Sequence, residues 1–384
     1  MKRLMQDERG MALALAIFAL VVMGALIAGS FFAGTQEQRV GENQRRVHTS
    51  FGVAEAGAQE RVMSWNPDQM NRRPIYPGDS VAINMAQTPG GTGSYSGYSY
   101  HIGPNLYIID VTGRDRASAQ SGGVNRGGGA RQRLAMIARI APIEFSIKAS
   151  LTTQGSVAVG GNALVSGVDQ NPTGWASCNP PGPAQAGVRD RGGTVGTSGS
   201  GQVQGNPPVV NDPTIADSSF TKFGGVTYAE LASRATIVLP GGNYQTEPVT
   251  ANGVCDRLVL TNWGDGDNPT GPCGNYMPLI HVTGNLILNG TQGQGILLVD
   301  GNLTVNGSYN FYGIVIIQGD LQTAGGGTSD AHFWGGVMAK NADLSTENLN
   351  GHATLNFSSC SILAALQAQS PIALMRSRGW VQLY

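Results

Sequence analysis

LIHVTGNL, at residues 279–286, is the first of four similar eight-residue segments that decide the fold of the C-terminal half of the chain. The other three segments are residues 296–303, 314–321 and 337–344. Each segment places a turn residue at the same position, which is occupied by Gly284, Gly301, Gly319 and Ala342. These turns are 17, 18 and 23 residues apart, and the longer last interval contains a polar glycine loop around residues 324–330. A short strand followed by the same turn, repeated at a nearly fixed period, is typical of a solenoid.

Seventeen residues of extended chain at about 3.3 Å each give a coil perimeter of roughly 55 Å, enough for three short strands. We therefore expect a narrow parallel β-helix, with ladders of Ile, Leu and Val in its interior. A β-sandwich is the competing fold, but sandwiches do not repeat one turn every 17 or 18 residues. A segment of the same kind, GSVAVGGNAL, occurs earlier at residues 155–164. The solenoid is expected over residues 143–360, with a Pro- and Gly-rich excursion at 171–277 and a C-terminal cap at 361–384.

Composition excludes several classes of protein. The formal net charge is −1 and only 13% of residues are charged, so the chain lacks the basic surplus of a nucleic-acid-binding protein. With 41% hydrophobic residues it is not a disordered chain. Its 56 glycines favour a β-rich body with many tight turns. The sequence contains no CxxC or HExxH motif, so a zinc protein or dithiol oxidoreductase is not expected.

The N-terminal region contains 23 consecutive uncharged residues, 11–33, from Met11 to Ala33. As a helix this segment is about 35 Å long, enough to cross a hydrocarbon core of about 30 Å. Lys2, Arg3 and Arg9 precede it, which predicts a cytoplasmic N-terminus and a single pass, with everything beyond the helix outside the cytoplasm. The alternative is a signal peptide cleaved at the small residues 28–30, but the apolar segment is longer than an ordinary signal sequence.

The helix is expected to continue beyond the membrane, because residues 35–64 contain no proline. Apolar residues recur there with the spacing of one helix face, at Val40, Val47, Phe51, Ala54, Ala58 and Val62. Asn66-Pro67 ends the helix, which is therefore predicted over residues 11–66. Residues 67–142 contain short alternating segments and are predicted to form a small β-sheet region. The fold class is thus α+β overall.

Two motifs follow the membrane segment in a fixed order, TQEQRVGEN at 35–43 and FGVAEAG at 51–57. Together with a charged leader, residues 1–10, that ends in Arg9-Gly10, they resemble the N-terminal region of PilX-type minor pilins and type IV pilus-assembly proteins. The residues that carry the family motif are Glu37, Arg39, Asn43, Ala54, Glu55 and Ala56. The match covers about the first 60 residues. An unrelated single-pass anchor is the alternative.

The resemblance implies that a prepilin peptidase cuts after Gly10 and that Met11 becomes a methylated N-terminus. It also implies other pilins as partners, storage in a bacterial inner membrane and later display on a pilus at the cell surface. One position departs from the pattern, because the fifth mature residue of major pilins is usually Glu and here it is Leu15. This favours a minor subunit, involved in assembly priming, tip display or adhesion.

Four cysteines, Cys178, Cys255, Cys273 and Cys360, are expected outside the cytoplasm and therefore oxidised. Three pairings are possible. We favour Cys255 with Cys273, because they are close in sequence within one loop, and this leaves Cys178 to pair with Cys360.

Little in the sequence supports catalysis. Between residues 278 and 328 only Asp300 and Asp320 are charged, whereas polysaccharide lyases and hydrolases need clustered carboxylates. Asp265 and Asp267 are the best oxygen-ligand pair, but they lack the downstream Glu of a calcium loop, so we expect a solvated turn rather than a calcium site. We expect the protein to have no enzymatic activity and to bind no cofactor. A surface glycan or a protein is the kind of ligand that fits the solenoid. The alternatives to a minor pilin-like function are a membrane-anchored carbohydrate-active enzyme and a cell-envelope scaffold outside any filament.

Overall fold

The computed structural model describes residues 9–71, 77–103, 105–116, 129–141, 143, 145–175, 178, 181–324, 330–344, 352–375 and 379–383. Residues 1–8 of the expected leader, and parts of the expected 67–142 and 361–384 regions, lie outside these ranges. The chain divides into two compact units. The first comprises Met1–Ser64, Ile75–Ala138 and Leu374–Tyr384, and the second comprises Trp65–Pro74 and Arg139–Ala373.

The first unit combines one long helix with an antiparallel sheet. Helix α1 is Arg9–Met63, which confirms the long apolar N-terminal helix. The strands are β1 Ser80–Gln87, β2 Gly93–Gly103, β3 Leu106–Asp115, β4 Arg131–Ile140, β25 Ile372–Leu374 and β26 Trp380–Leu383. They lie in the order β1-β2-β3-β4-β25, and β26 also pairs with β4, in the antiparallel direction. The final strand of the chain therefore belongs to this sheet.

Small side chains bring the C-terminal part of α1 close to this sheet. The buried positions of the helix recur every three or four residues and therefore form one stripe: Ser50, Val53, Ala54, Gly57 and Ala58. Across from them, a Cβ atom on Gly113 of β3 would lie 2.2 Å from the Ser50 carbonyl oxygen. Only glycine, which has no Cβ atom, allows the strand and the helix to approach this closely. The helix thus packs backbone against backbone rather than through large side chains.

The packing face differs in part from the one expected. Ala54 and Ala58 are fully buried, as the periodicity predicted. Val40 and Val47 are 56% and 39% exposed, because the sheet covers only the C-terminal end of α1.

The second unit is built mainly from short parallel strands. Its helices are α2 Pro67–Met70, α3 Tyr228–Ser233 and α4 Ser359–Gln369, with a 3₁₀ helix at Asp217–Phe220. Its strands are β5 Ala149–Thr153, β6 Val157–Val159, β7 Leu164–Ser166, β8 Ala186–Asp190, β9 Val195–Thr197, β10 Gln202–Gln204, β11 Val209–Asn211, β12 Lys222–Phe223, β13 Val226–Thr227, β14 Ile237–Tyr244, β15 Thr250–Ala251, β16 Val254–Cys255, β17 Leu279–Leu288, β18 Gln292–Val299, β19 Leu303–Asn306, β20 Tyr309–Ile317, β21 Asp320–Ala324, β22 Asp330–Ala339, β23 Asn341–Asp343 and β24 His352–Phe357.

The parallel strands form three ladders. The first runs β14-β17-β18-β20-β22-β5-β8-β11. The second runs β14-β17-β19-β21-β23-β6-β9, and the third runs β18-β20-β22-β24-β7-β10. Strands such as β17 belong to two ladders because the chain bends at a positive-φ glycine, Gly284. The repeated segments found in the sequence therefore stack on one another as neighbouring parallel strands.

A column of glycines sets the register of the first ladder. Gly295, Gly313 and Gly335 lie opposite one another on β18, β20 and β22, and all three have positive φ. A Cβ on Gly313 would lie 2.0 Å from the Gly295 carbonyl oxygen, and the same clash recurs at Gly335. Since only glycine fits, the column places Ile314 opposite Gly336. The alignment of residues 314–321 with 337–344, which pairs Ile314 with Val337, is therefore wrong by one residue at this point.

Both faces of the first ladder are buried, which explains its continuous apolar runs. Ile280, Val282 and Val299 point into the interior shared by the three ladders. Leu279, Ile296, Leu298 and Ile314 point outward, where helix α4 and the segment around α3 cover them.

The structure differs from the expectations for two regions, residues 171–277 and residues 361–384. Part of the 171–277 stretch contributes strands β8 to β11 and β14 to the ladders, so it is not a continuous excursion. These short strands were not predicted from the sequence, because Pro and Gly residues lie between them. Within 361–384, α4 packs along the outer face of the first ladder and not across its end, because both its buried residues and that face are apolar.

Candidate functional site

The most unusual surface of the molecule is the N-terminal part of α1. No residue between 12 and 49 is buried. Large apolar side chains are at least half exposed all around the helix, including Leu13, Leu15, Phe18, Leu20, Leu26, Phe31 and Phe32. In the described part of the chain, α1 is the one helix long and apolar enough to cross a membrane. Apolar surface of this extent needs a lipid or protein environment.

The residues of the family motif occupy two different environments on α1. Glu37, Arg39 and Asn43 are exposed, and the nearby Glu42 forms an ion pair with Arg46 one turn later. Ala54 is fully buried against the sheet, whereas Glu55 and Ala56 are half-buried. Gly10 and Met11 lie within the first turn of the helix, and Ala33 is exposed near its middle.

Polar contacts fix the C-terminal end of α1 to the sheet. The Tyr95 ring lies over Gly57, and its hydroxyl donates a hydrogen bond to the Glu60 carboxylate. Burial, followed by the bond to Glu60, raises the pKa of Tyr95 to about 12, so the hydroxyl keeps its proton at neutral pH. Arg61 donates to the Ser99 hydroxyl at 3.1 Å. The helix therefore has one free apolar half and one half that is part of a folded unit.

The sequence predicts no packing role for Ser50, Gly57 or Gly113, because hydrophobic periodicity gives weight to large apolar side chains. These three residues allow close packing because they are small. The signal that could have found Ser50 and Gly57 is the helical spacing of the small residues at 50, 54, 57 and 58.

The four cysteines form two disulfides in the second unit. Cys255 is bonded to Cys273 and Cys178 to Cys360, so one bridge closes a short loop and the other joins segments 182 residues apart. The second bridge ends at the start of α4. There the buried Asp169 carboxylate accepts hydrogen bonds from the Ser359 backbone N–H, at 2.8 Å, and from the Gly182 N–H, at 2.6 Å. The bridge and Asp169 together hold α4 to the Pro-rich loop.

Asp265 and Asp267 lie in one loop, but both carboxylates accept hydrogen bonds from protein donors. Asp265 accepts from Gln292 at 2.9 Å, and Asp267 accepts from the Tyr312 hydroxyl at 2.6 Å and from Asn310 at 2.9 Å. These bonds connect the loop to the third ladder. Within the described residues, no group of three or more His, Cys, Asp or Glu side chains is arranged to hold a metal ion.

One polar cluster joins residues that are far apart in sequence. Asp300 accepts a hydrogen bond from the Tyr228 hydroxyl at 2.8 Å, and the same oxygen lies 3.0 Å from His281 Nε2. Burial, followed by the bond to Asp300, raises the pKa of Tyr228, so it remains a donor. The cluster holds α3 on the outer surface of β17. No sequence pattern predicts this cluster, because Tyr228 and Asp300 are 72 residues apart.

No known protein family matches the sequence, and no curated protein does. Among solved structures the chain is similar to the competence-associated pilin ComZ from Thermus thermophilus, with 12% sequence identity, 88% of this chain and 97% of that chain covered, and a TM-score of 0.27. A TM-score this low does not establish a shared fold.

Proposed function

We propose that the chain is a minor pilin-like subunit of a type IV pilus or a related secretion filament, with a structural and not an enzymatic role. The observation that carries this proposal is the division of α1 into an exposed apolar half and a half packed on a sheet. The exposed half is suited to storage in a membrane, and later to packing against the apolar helices of neighbouring subunits. The three parallel ladders are, on this proposal, a β-solenoid that the subunit displays outside the cytoplasm.

The order of features at the N-terminus supports processing by a prepilin peptidase. Arg9 and Gly10 directly precede the uncharged part of the helix, and small residues at a cleavage site allow close approach of a peptidase. Lys2 and Arg3 favour retention of the leader on the cytoplasmic side.

The first test of this proposal is the mature N-terminus. Mass spectrometry of the protein from a host with a prepilin peptidase is expected to find a chain that begins with methylated Met11. Replacing Gly10 with phenylalanine is expected to leave the leader attached, whereas Gly34→Ala, at an open position of the same helix, leaves cleavage unchanged. A mature chain beginning near residue 31 would overturn the proposal.

The second test concerns position in the filament. In the bundle of apolar helices, an unpaired buried ammonium costs several kcal/mol, and Leu15 cannot neutralise the terminal amine of a neighbouring subunit as a glutamate can. A subunit without that acid is tolerated at a tip or in the initiating complex, where no subunit lies ahead of it. Immunogold labelling of sheared filaments is therefore expected to mark ends at low stoichiometry.

The matched variant is Leu15→Glu, which is expected to keep membrane insertion and to increase labelling along the shaft. Uniform labelling of filaments by the unaltered protein would contradict the tip assignment. Recovery of the protein in the membrane fraction alone, with none in sheared filaments, would favour an envelope scaffold.

A further inference from the structure

The sheet of the first unit has a second face that α1 does not cover. Residues two apart in a strand share a face, and Tyr95 and Gly113 lie on the face that α1 covers. The opposite face carries Tyr98 and Tyr100 of β2, together with Asp110 of β3, which lies directly across from Tyr98. These residues line a groove of about 450 Å³, whose charged members are Asp110, Arg114, Arg131 and Arg133.

The charge of this groove stands out from the rest of the chain. Three arginines and one aspartate give a formal charge of +2 in the groove, whereas the whole chain carries −1. Arg133 is held in place by Asp110, which is only 7% exposed. The Arg133 Nε lies 2.9 Å from Asp110 Oδ1, and the Arg133 Nη2 lies 2.5 Å from Asp110 Oδ2. Among the described residues, the side chains of Arg114 and Arg131 have no such acidic partner.

The groove also offers aromatic surface beside its cations. Tyr98 is 49% exposed, and its ring centroid lies 6.0 Å from that of Tyr100. Exposed tyrosine rings provide a flat apolar surface with a polar edge, which suits the C–H face of a sugar ring. Guanidinium groups bind carboxylate and sulfate oxygens with two parallel hydrogen bonds.

We propose that this groove, the arginine groove, binds an acidic saccharide, with Arg114 and Arg131 contacting its carboxylate or sulfate groups and Tyr98 and Tyr100 contacting its rings. The position of the groove argues against an added peptide strand. It lies across the faces of β1, β2 and β3, where backbone groups are already paired within the sheet, so recognition must come from side chains. The proposal goes beyond a role in a filament and does not depend on it.

The test measures binding by the purified full chain in detergent. The probes are oligogalacturonate, which carries carboxylates, a chondroitin sulfate oligosaccharide, which carries both carboxylates and sulfates, and neutral dextran of similar length. Both acidic probes, or one of them, are expected to bind, and dextran is not. The preferred probe identifies the anionic group. The double variant Arg114→Gln/Arg131→Gln is expected to weaken binding by about tenfold or more, since two charge-assisted contacts are lost.

The matched control is Arg139→Gln/Arg191→Gln, which removes two exposed arginines away from the groove and is expected to change Kd less than about twofold. Tyr98→Ala, at a half-exposed position, tests the same groove without a change of charge and is also expected to weaken binding. Near-UV circular dichroism checks the fold of each variant. Equal loss in the groove and control variants, equal binding of dextran, or binding of poly-glutamate or an oligonucleotide in place of both acidic saccharides would overturn the proposal.

Discussion

Replacing Gly113 with valine is expected to unfold the first unit, although valine is the better strand former. The added Cβ would lie 2.2 Å from the Ser50 carbonyl oxygen and 2.4 Å from the Ala54 backbone nitrogen. These neighbours are helix backbone, so no side-chain rotation relieves the clash and α1 must move away from β3. Overpacking of this kind destabilises by about 3 kcal/mol, more than the ~1 kcal/mol range of strand propensity can offset.

Hydrogen exchange of the full chain in detergent measures this effect locally, as lost protection of the β2 and β3 amides. Gly103→Val is the matched strand control, because the nearest atom to its Cβ is 3.8 Å away. Gly52→Ala is the helix control, with nothing within 4 Å, and is expected to stabilise by about 0.5–1 kcal/mol. Unchanged protection in Gly113→Val would show that the helix does not lie against β3 as described.

Removing the bridge between Cys178 and Cys360 is expected to destabilise the second unit more than removing the other one. In the chain-entropy model, closing a loop of 182 residues restricts the unfolded chain by about 5 kcal/mol, against about 3 kcal/mol for 18 residues. The long-range bridge also anchors α4, whose buried residues cover the outer face of the first ladder. Its loss therefore exposes apolar strand surface in addition to loosening the chain.

The experiment compares Cys178→Ser/Cys360→Ser with Cys255→Ser/Cys273→Ser by urea unfolding of the full chain, with exchange of the α4 amides as the local measurement. Early exchange of α4 is expected in the first variant alone, because Cys255 and Cys273 pack with Tyr276 in a separate cluster. Equal midpoints for the two variants, with α4 still protected, would contradict this ranking.

The sequence was sufficient to predict the long helix, because an uncharged segment followed by an amphipathic one leaves few alternatives. It was not sufficient to predict which face of the helix packs. Hydrophobic periodicity gives weight to Val40 and Val47, yet the sheet contacts Ser50, Ala54 and Gly57. Close approach of two backbones depends on the absence of side-chain atoms, which a scale of hydrophobicity does not record.

The repeated segments predicted parallel neighbours but misplaced the last of them. Matching apolar residues aligned Ile314 with Val337, whereas the glycine column pairs Ile314 with Gly336. The polar cluster at Asp300 and the arginine groove could not be predicted at all. Each brings together side chains from separate strands or helices, and only the pairing of the sheet determines which of them meet.

The position of β26 in the first sheet has a consequence for the time course of biogenesis. Its partner β4 is made roughly 240 residues earlier, so at synthesis rates of about 5–20 residues per second β4 waits on the order of 10–50 s. During this interval the edge of β4 around Leu134 and Met136, which β26 later covers, is unpaired. A nascent chain with an open apolar edge is a substrate for holding chaperones and a target for proteases. The late synthesis of β26 thus determines when this edge of β4 is protected from both.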